Sequence, residues 1–104
     1  MLKGSLEDNV LTMLSWSADH AAALTLQLSP DLFSTRSYRK IAEKAVEYIQ
    51  TYGVPPGIHL RDMLEADLMR GEDGKLLQRV LDDMDTLFPD LQPAYVLAEL
   101  ARAL

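Results

Sequence analysis

The segment from Tyr38 to Tyr52 carries an apolar side chain at every third or fourth position, and this spacing predicts one long amphipathic helix. Ser34 or Thr35 stands where an N-terminal cap is expected. Gly53 follows in the position of a C-terminal cap, and the next residues, VPPG, prevent the helix from continuing. Strictly alternating apolar residues are absent and β-branched residues are few, so the sequence predicts an all-α fold.

Several other stretches show helical spacing. Ser5 and Ser17 stand where they can cap two of them, and Ser29 is followed by a proline at the first helical position. The stretches are residues 6–16, 18–28, 30–33, 59–69, 76–88 and 93–104. In the second stretch, Leu26 is expected beside the buried face. We predict a single domain over residues 1–104, a compact orthogonal bundle of about five to six helices.

Composition limits the classes of function. No run approaches the roughly 18 apolar residues of a membrane helix, and acids near the first residues argue against a signal peptide, so we expect a cytoplasmic protein without a membrane partner. The absence of cysteine excludes disulfides and thiolate zinc sites. A net charge of −6 disfavours direct nucleic-acid binding and fits a protein partner better.

Motifs for catalysis or cofactor binding fail on inspection. The sequence GEDGK, residues 71–75, lacks both the first glycine and the final hydroxyl of a phosphate loop, because those positions are Met69 and Leu76. GEDGK is therefore read as a polar loop or a helix start. His20 and His59 have no partner at helical metal spacing. We predict no catalytic residue, no metal site and no cofactor.

Charged clusters and the single tryptophan have ordinary explanations. The cations before and within the long stripe are interleaved with Glu43 and Glu47, which is typical of a solvated helix face; they are Arg36, Arg39, Lys40 and Lys44. A solvated face also explains the acids at 82, 83 and 85. Trp16 is either core or an interface anchor, and in a small domain core is the commoner role.

The last stretch has an apolar face with no stop signal after it. Its partner-facing residues are predicted to be Tyr95, Val96, Leu97, Leu100 and Leu104. An amphipathic helix without a covering element must pack on another helix, in its own chain or in a partner. We expect the natural protein to continue past Leu104, and we expect Leu100→Asp to remove an association without unfolding the domain.

The order of the segments resembles the N-terminal domain of DnaB-type replicative DNA helicases, with phage and prophage variants the more similar. An E-x-x-V-L-x-x-L opening, residues 7–14, precedes an alanine-rich stretch and then LSPDLFSTRSYRKI, residues 28–41. The anchors of the resemblance are Asp31, Phe33, Tyr38, Arg39 and Ile41. YGVPP, LRDMLE and AYVLAELARAL are also similar, the last to the start of the helical hairpin that leads to the motor. The sequence departs from the family at Asp8 and around GEDGK, and this chain contains no phosphate-loop ATPase.

The resemblance implies a non-catalytic module for protein interaction and assembly. In such helicases the domain packs into a collar above a hexameric motor, subunits pair through the hairpin, and primase or a helicase loader docks on the collar. Weak self-association is therefore expected for this chain alone. The alternative is a stand-alone helical adaptor or regulator, encoded by a phage, that binds a replication protein.

Overall fold

Helices provide all the regular structure of this chain in a computed structural model that describes residues 2–104. Two 3₁₀ turns, Pro30–Leu32 and Phe88–Asp90, connect helices, and no strand occurs in the described part. The all-α prediction is therefore confirmed. The seven α-helices are α1 Gly4–Trp16, α2 Ala21–Leu24, α3 Arg36–Tyr52, α4 His59–Met63, α5 Glu65–Leu68, α6 Gly71–Leu87 and α7 Pro93–Ala103.

The long helix α3 begins and ends where its sequence signals predict. The Thr35 hydroxyl accepts a hydrogen bond from the amide of Tyr38 at 3.3 Å, which caps the first turn. Gly53 adopts φ 77°, and its amide donates to the carbonyl of Ile49 at 2.7 Å. A left-handed residue at this position closes the last turn, and glycine adopts that conformation without a Cβ clash.

Helix α1 lies at the centre of the bundle, in contact with α2, α3, α6 and α7. All residues from Val10 to Ser15 are buried, so the second half of α1 is covered on every side. The radius of gyration of 12.6 Å is that of a folded globule of this length. The chain thus builds one core around α1.

The second predicted helix is much shorter than its sequence suggested. Only Ala21–Leu24 is helical, and the side chain of Thr25 donates to the carbonyl of Ala22 at 2.6 Å in the turn that follows. The Ser17 hydroxyl is hydrogen bonded to Nδ1 of His20 at 2.9 Å and does not cap a backbone amide. Leu26 is 88% exposed, so its predicted place beside the buried face was wrong.

The predicted helix over 59–69 is divided at Leu64, whose backbone (φ −104°, ψ 8°) separates α4 from α5. The following GEDGK sequence forms the first turn of α6. A Cβ on Gly74 would lie 2.3 Å from the carbonyl oxygen of Leu68, so α5 and α6 can pack this closely only around a glycine.

The first helix starts without the predicted serine cap. Ser5 lies inside α1, and Lys3 occupies the N-cap position with no side-chain hydrogen bond. Leu2 is buried, and its amide donates to the carbonyl of Leu32 at 2.8 Å. This contact, and not a cap, holds the start of α1 against the first 3₁₀ turn. Across residues 2–104, every helix is too short or too polar to cross a bilayer.

Candidate interaction surface

An aromatic groove opens where α1 ends and the second 3₁₀ turn begins. The rings of Trp16 and Phe88 stack there, with centroids 5.7 Å apart and an interplanar angle of 26°. Two cavities of about 250 and 420 Å³ border on this pair. We call this surface the tryptophan groove; its first cavity is lined by Trp16, Ile58, Arg61, Asp85 and Phe88.

The turn VPPG places Ile58 at the edge of the groove. The Gly57 amide donates to the carbonyl of Ser15 at 2.8 Å, which holds the turn against the end of α1. Gly57 has φ 53°, and a Cβ added to it would lie 3.5 Å from the indole of Trp16, so the turn packs on the ring. Ile58 is then left 71% exposed. An exposed apolar side chain therefore lies directly beside the stacked aromatic rings.

Arg61 fixes one polar rim of the groove. Its guanidinium lies 2.8 Å from a carboxylate oxygen of Asp82 and 3.0 Å from one of Asp85. The amide of Gln78 also donates to Asp82, at 2.8 Å. One cation therefore serves two carboxylates, and this rim keeps a net negative charge. Asp82, Asp83 and Asp85 are all exposed, in line with the solvated face predicted for them, and two of the three also pair with Arg61.

The second cavity lies on the side of α1 and α7. It is lined by apolar residues of α1 and of the chain around the second 3₁₀ turn, and by the polar segment that follows Trp16. Its polar members include Asp19, which is exposed, and His20, which is hydrogen bonded to Ser17. The tryptophan groove therefore has an apolar floor with carboxylates at both ends.

A separate buried polar network joins α1 to the start of α3. The Glu7 carboxylate, which is almost fully buried, accepts hydrogen bonds from the amide and the hydroxyl of Ser34, the latter at 2.8 Å. The Tyr38 hydroxyl donates to Asp8. Partial burial, then this hydrogen bond, then the charges of Asp8, Glu7 and Asp83 raise the pKa of Tyr38 well above its usual value. Both acids of the first turns of α1 therefore make tertiary contacts.

The anchors of the family resemblance lie in and around this network. Phe33 and Ile41 are fully buried, and Tyr38 is half-buried with its hydroxyl on Asp8. Asp31 and Arg39 are exposed; the amide of Asp31 donates to the Ser29 hydroxyl at 3.4 Å in the first 3₁₀ turn. Phe33 and Ile41 thus belong to the core, Tyr38 packs against it, and the two charged anchors lie on the surface.

The predicted partner face on the last helix is largely internal. Val96 and Leu100 are 2% and 1% exposed, because α7 packs against α1. Placing these two residues at a partner interface was wrong, and Leu100→Asp would put a charge in the core and unfold the domain. Leu97 is partly buried, whereas Tyr95 and Leu104 are exposed. Of the five residues of that predicted face, only Tyr95, Leu97 and Leu104, which we call the outer side of α7, remain accessible to a partner.

Three of the four basic residues of α3 are engaged within the chain. Lys40 lies 3.8 Å from Asp67, Lys44 lies 3.5 Å from Glu47, and Nε of Arg39 donates to a backbone carbonyl. A cavity of about 240 Å³ near the start of α3 mixes cations with carboxylates. The basic residues thus do not form a continuous cationic face, in line with the solvated helix predicted.

The two histidines make different contacts. His59 stacks on Tyr48 with ring centroids 6.2 Å apart and lies 3.3 Å from Asp62, and His20 belongs to the groove rim. In residues 2–104, no three His, Asp or Glu side chains converge in a way that suits a metal ion.

Comparison of the chain with protein-family models, curated proteins and solved structures found no match. The groove geometry and the family resemblance are therefore the grounds for a functional assignment. Sequence reasoning named Trp16, left Phe88 at the end of the helical stretch 76–88 and did not single out Ile58. A signal was present, since Ile58 is apolar yet precedes the predicted helical stretch 59–69.

Proposed function

We propose that this chain is a non-catalytic protein-interaction and assembly module, the N-terminal domain of a DnaB-type replicative DNA helicase acting in the cytoplasm. The observation that carries the interaction role is the tryptophan groove. Ile58 and Phe88 are 71% and 38% exposed beside Trp16, in a concave surface. A few side chains supply most of the binding energy in protein interfaces, and tryptophan is among the residues enriched there.

The helicase part of the proposal is supported by the sequence resemblance. Two segments of that resemblance, residues 7–14 and 28–41, are joined in space by the hydrogen bonds that the amide and the hydroxyl of Ser34 donate to Glu7. These contacts provide a shared structural reason for polar residues in both segments. In such a helicase, primase or a helicase loader would be the partner of the collar, and the tryptophan groove would be its docking site.

Self-association is proposed for the outer side of α7 alone. Tyr95 and Leu104 are the exposed apolar residues there, with Leu97 partly covered. Fully burying each would contribute about 1.5–3 kcal/mol before the costs of association. So few side chains favour a weak dimer in isolation, with the hexameric collar depending on the rest of a helicase.

Binding to the replication proteins encoded in the same genome tests the proposal. Purified chain should bind the primase or the loader in a calorimetric titration, and Ile58→Glu should abolish the heat of binding. Met69→Glu is the matched control, because Met69 is also exposed, lies outside the groove lining and gains the same charge. The proposal would be contradicted if neither protein bound the chain, or if the two variants bound equally well.

A stand-alone adaptor that binds a replication protein is the second candidate. It is favoured by the way α7 buries Val96 and Leu100 within the same chain, because the helix needs no outside partner to cover its stripe. The reading frame distinguishes the two candidates: a phosphate-loop motif encoded downstream of Leu104 supports the helicase, and a stop codon supports the adaptor.

A further inference from the structure

We infer that the tryptophan groove takes a basic amphipathic helix of a partner protein, with its apolar side chains on the Trp16–Phe88 stack and its lysines or arginines at the acidic rims. The inference rests on the proposed interaction function and adds the chemistry of the partner. Three features of the groove support it: its apolar floor, its charge and its division into two cavities.

The apolar floor is held in place before any partner binds. Trp16 closes α1, the VPPG turn packs on its indole, and Phe88 stacks beside it at 5.7 Å. Ile58 extends from that turn into solvent. Rigid aromatic side chains lose little conformational entropy on binding, so a preformed floor of this kind favours the entry of an apolar side chain.

The charges around the groove favour a partner of positive charge. At one end Asp82 and Asp85 share the single cation Arg61, and at the other end Asp19 is exposed. The formal charge of these four residues is −2, in a chain whose net charge is −6. A cationic partner is therefore attracted and an acidic one repelled. A second copy of this chain carries the same excess of acid, so the groove is unsuited to self-pairing.

The two cavities adjoin each other, which suits two neighbouring apolar side chains of one partner helix. They measure about 250 and 420 Å³ and share Trp16 and Phe88 as a common border. Side chains at positions i and i+4 of a helix lie about 6 Å apart, so neighbouring cavities can take two successive apolar residues of one face. Cations on the adjacent faces of that helix then lie over the two acidic rims. An amphipathic helix in an apolar groove is a recurrent form of recognition.

Fluorescence of Trp16 provides a direct test, because it is the only tryptophan in the chain. The probes are two synthetic amphipathic helices of about 18 residues, long enough to be helical, with the same leucine face. One carries lysine and the other glutamate on its polar face, and neither contains tryptophan. We expect the lysine peptide to shift the Trp16 emission saturably and the glutamate peptide to bind at least tenfold more weakly.

Variants separate groove binding from general attraction between opposite charges. Ile58→Glu and Met69→Glu each add one negative charge, so non-specific attraction of the lysine peptide would increase in both. Binding in the groove predicts at least a tenfold loss in Ile58→Glu and no loss in Met69→Glu. Asp85→Asn should weaken binding about two- to fivefold and reduce its dependence on salt, as expected for a rim charge.

Three results of the peptide experiments would overturn the inference. They are equal binding of the two peptides, no saturable shift with the lysine peptide, and equal effects of Ile58→Glu and Met69→Glu. If primase or the loader still binds the chain in any of these cases, the proposed function stands and only the partner chemistry is wrong. Concentration-dependent dimerisation that Ile58→Glu abolishes would assign the groove to self-pairing and would equally refute a basic partner.

Discussion

Replacement of Leu100 by alanine tests whether the last helix belongs to the core of this domain. Leu100 is 1% exposed and lies on the side of α7 that packs against α1. Truncating a buried leucine to alanine costs about 2–5 kcal/mol, through lost burial and the cavity that remains. We expect a loss of about 3 kcal/mol, a large share of the roughly 5–15 kcal/mol typical of a domain.

The measurement is urea unfolding followed by circular dichroism at 222 nm. With a slope of about 1.5 kcal/mol per molar urea, the loss corresponds to a decrease of about 2 M in the unfolding midpoint. Leu104→Ala is the control on the same helix, because Leu104 is 58% exposed and its truncation should change stability by less than about 0.5 kcal/mol. Equal midpoints for the two variants would refute the internal packing of α7. If Leu100→Ala instead abolished self-association and left stability unchanged, Leu100 would belong to an interface between chains.

Three further predictions concern the packing and capping of helices and the response to alkaline pH. Gly74→Ala should destabilise the domain by about 2–3 kcal/mol, because the added Cβ would clash with the Leu68 carbonyl. The same change in an exposed helix is stabilising. An unchanged melting temperature would disprove the close packing of α5 on α6. Gly53→Ala should cost about 1 kcal/mol in urea unfolding for its left-handed backbone, and no loss would contradict the cap. The raised pKa of Tyr38 means that the folded state holds the phenolic proton more tightly, so the resulting stability is complete below pH about 10 and is lost as pH rises above it. Tyr38→Phe cannot donate to Asp8. Between about pH 9 and pH 11, on either side of the ordinary tyrosine pKa, it should therefore lose less stability than the parent chain in parallel urea titrations. An identical pH dependence of stability in the two chains would refute this role of Tyr38.

Helix α3 could be predicted from the sequence because its signals are local. Its stripe, the Thr35 cap and the Gly53 terminus all lie within residues 35–53, and each acts on the nearest turn. The second predicted helix failed for the opposite reason. The alanine-rich spacing around Leu24 favours a helix, but only residues 21–24 are helical and turns occupy the residues on either side. Helix propensity is a weak influence compared with tertiary context.

The element that packs on each apolar helix face could not be predicted, because periodicity identifies the buried face but not what covers it. The stripe of α7 suggested an interface, yet Val96 and Leu100 are covered by α1. The groove depends on residues far apart in sequence, Trp16, Ile58 and Phe88, which only the fold brings together. An apolar residue outside its own helical stripe, as Ile58 is, remains the one local indication of such a surface.

The packing of the first helix against the last also bears on how the domain is made. Helix α1 is synthesised before α7, but part of its apolar surface packs against α7, whose buried residues are Val96 and Leu100. Contacts between residues so distant in sequence form late, after the loop between them has closed. Nearly the whole domain must therefore be synthesised before α1 is fully protected. Until then the nascent chain exposes Leu-rich surface of the kind that chaperones bind and that aggregates most readily.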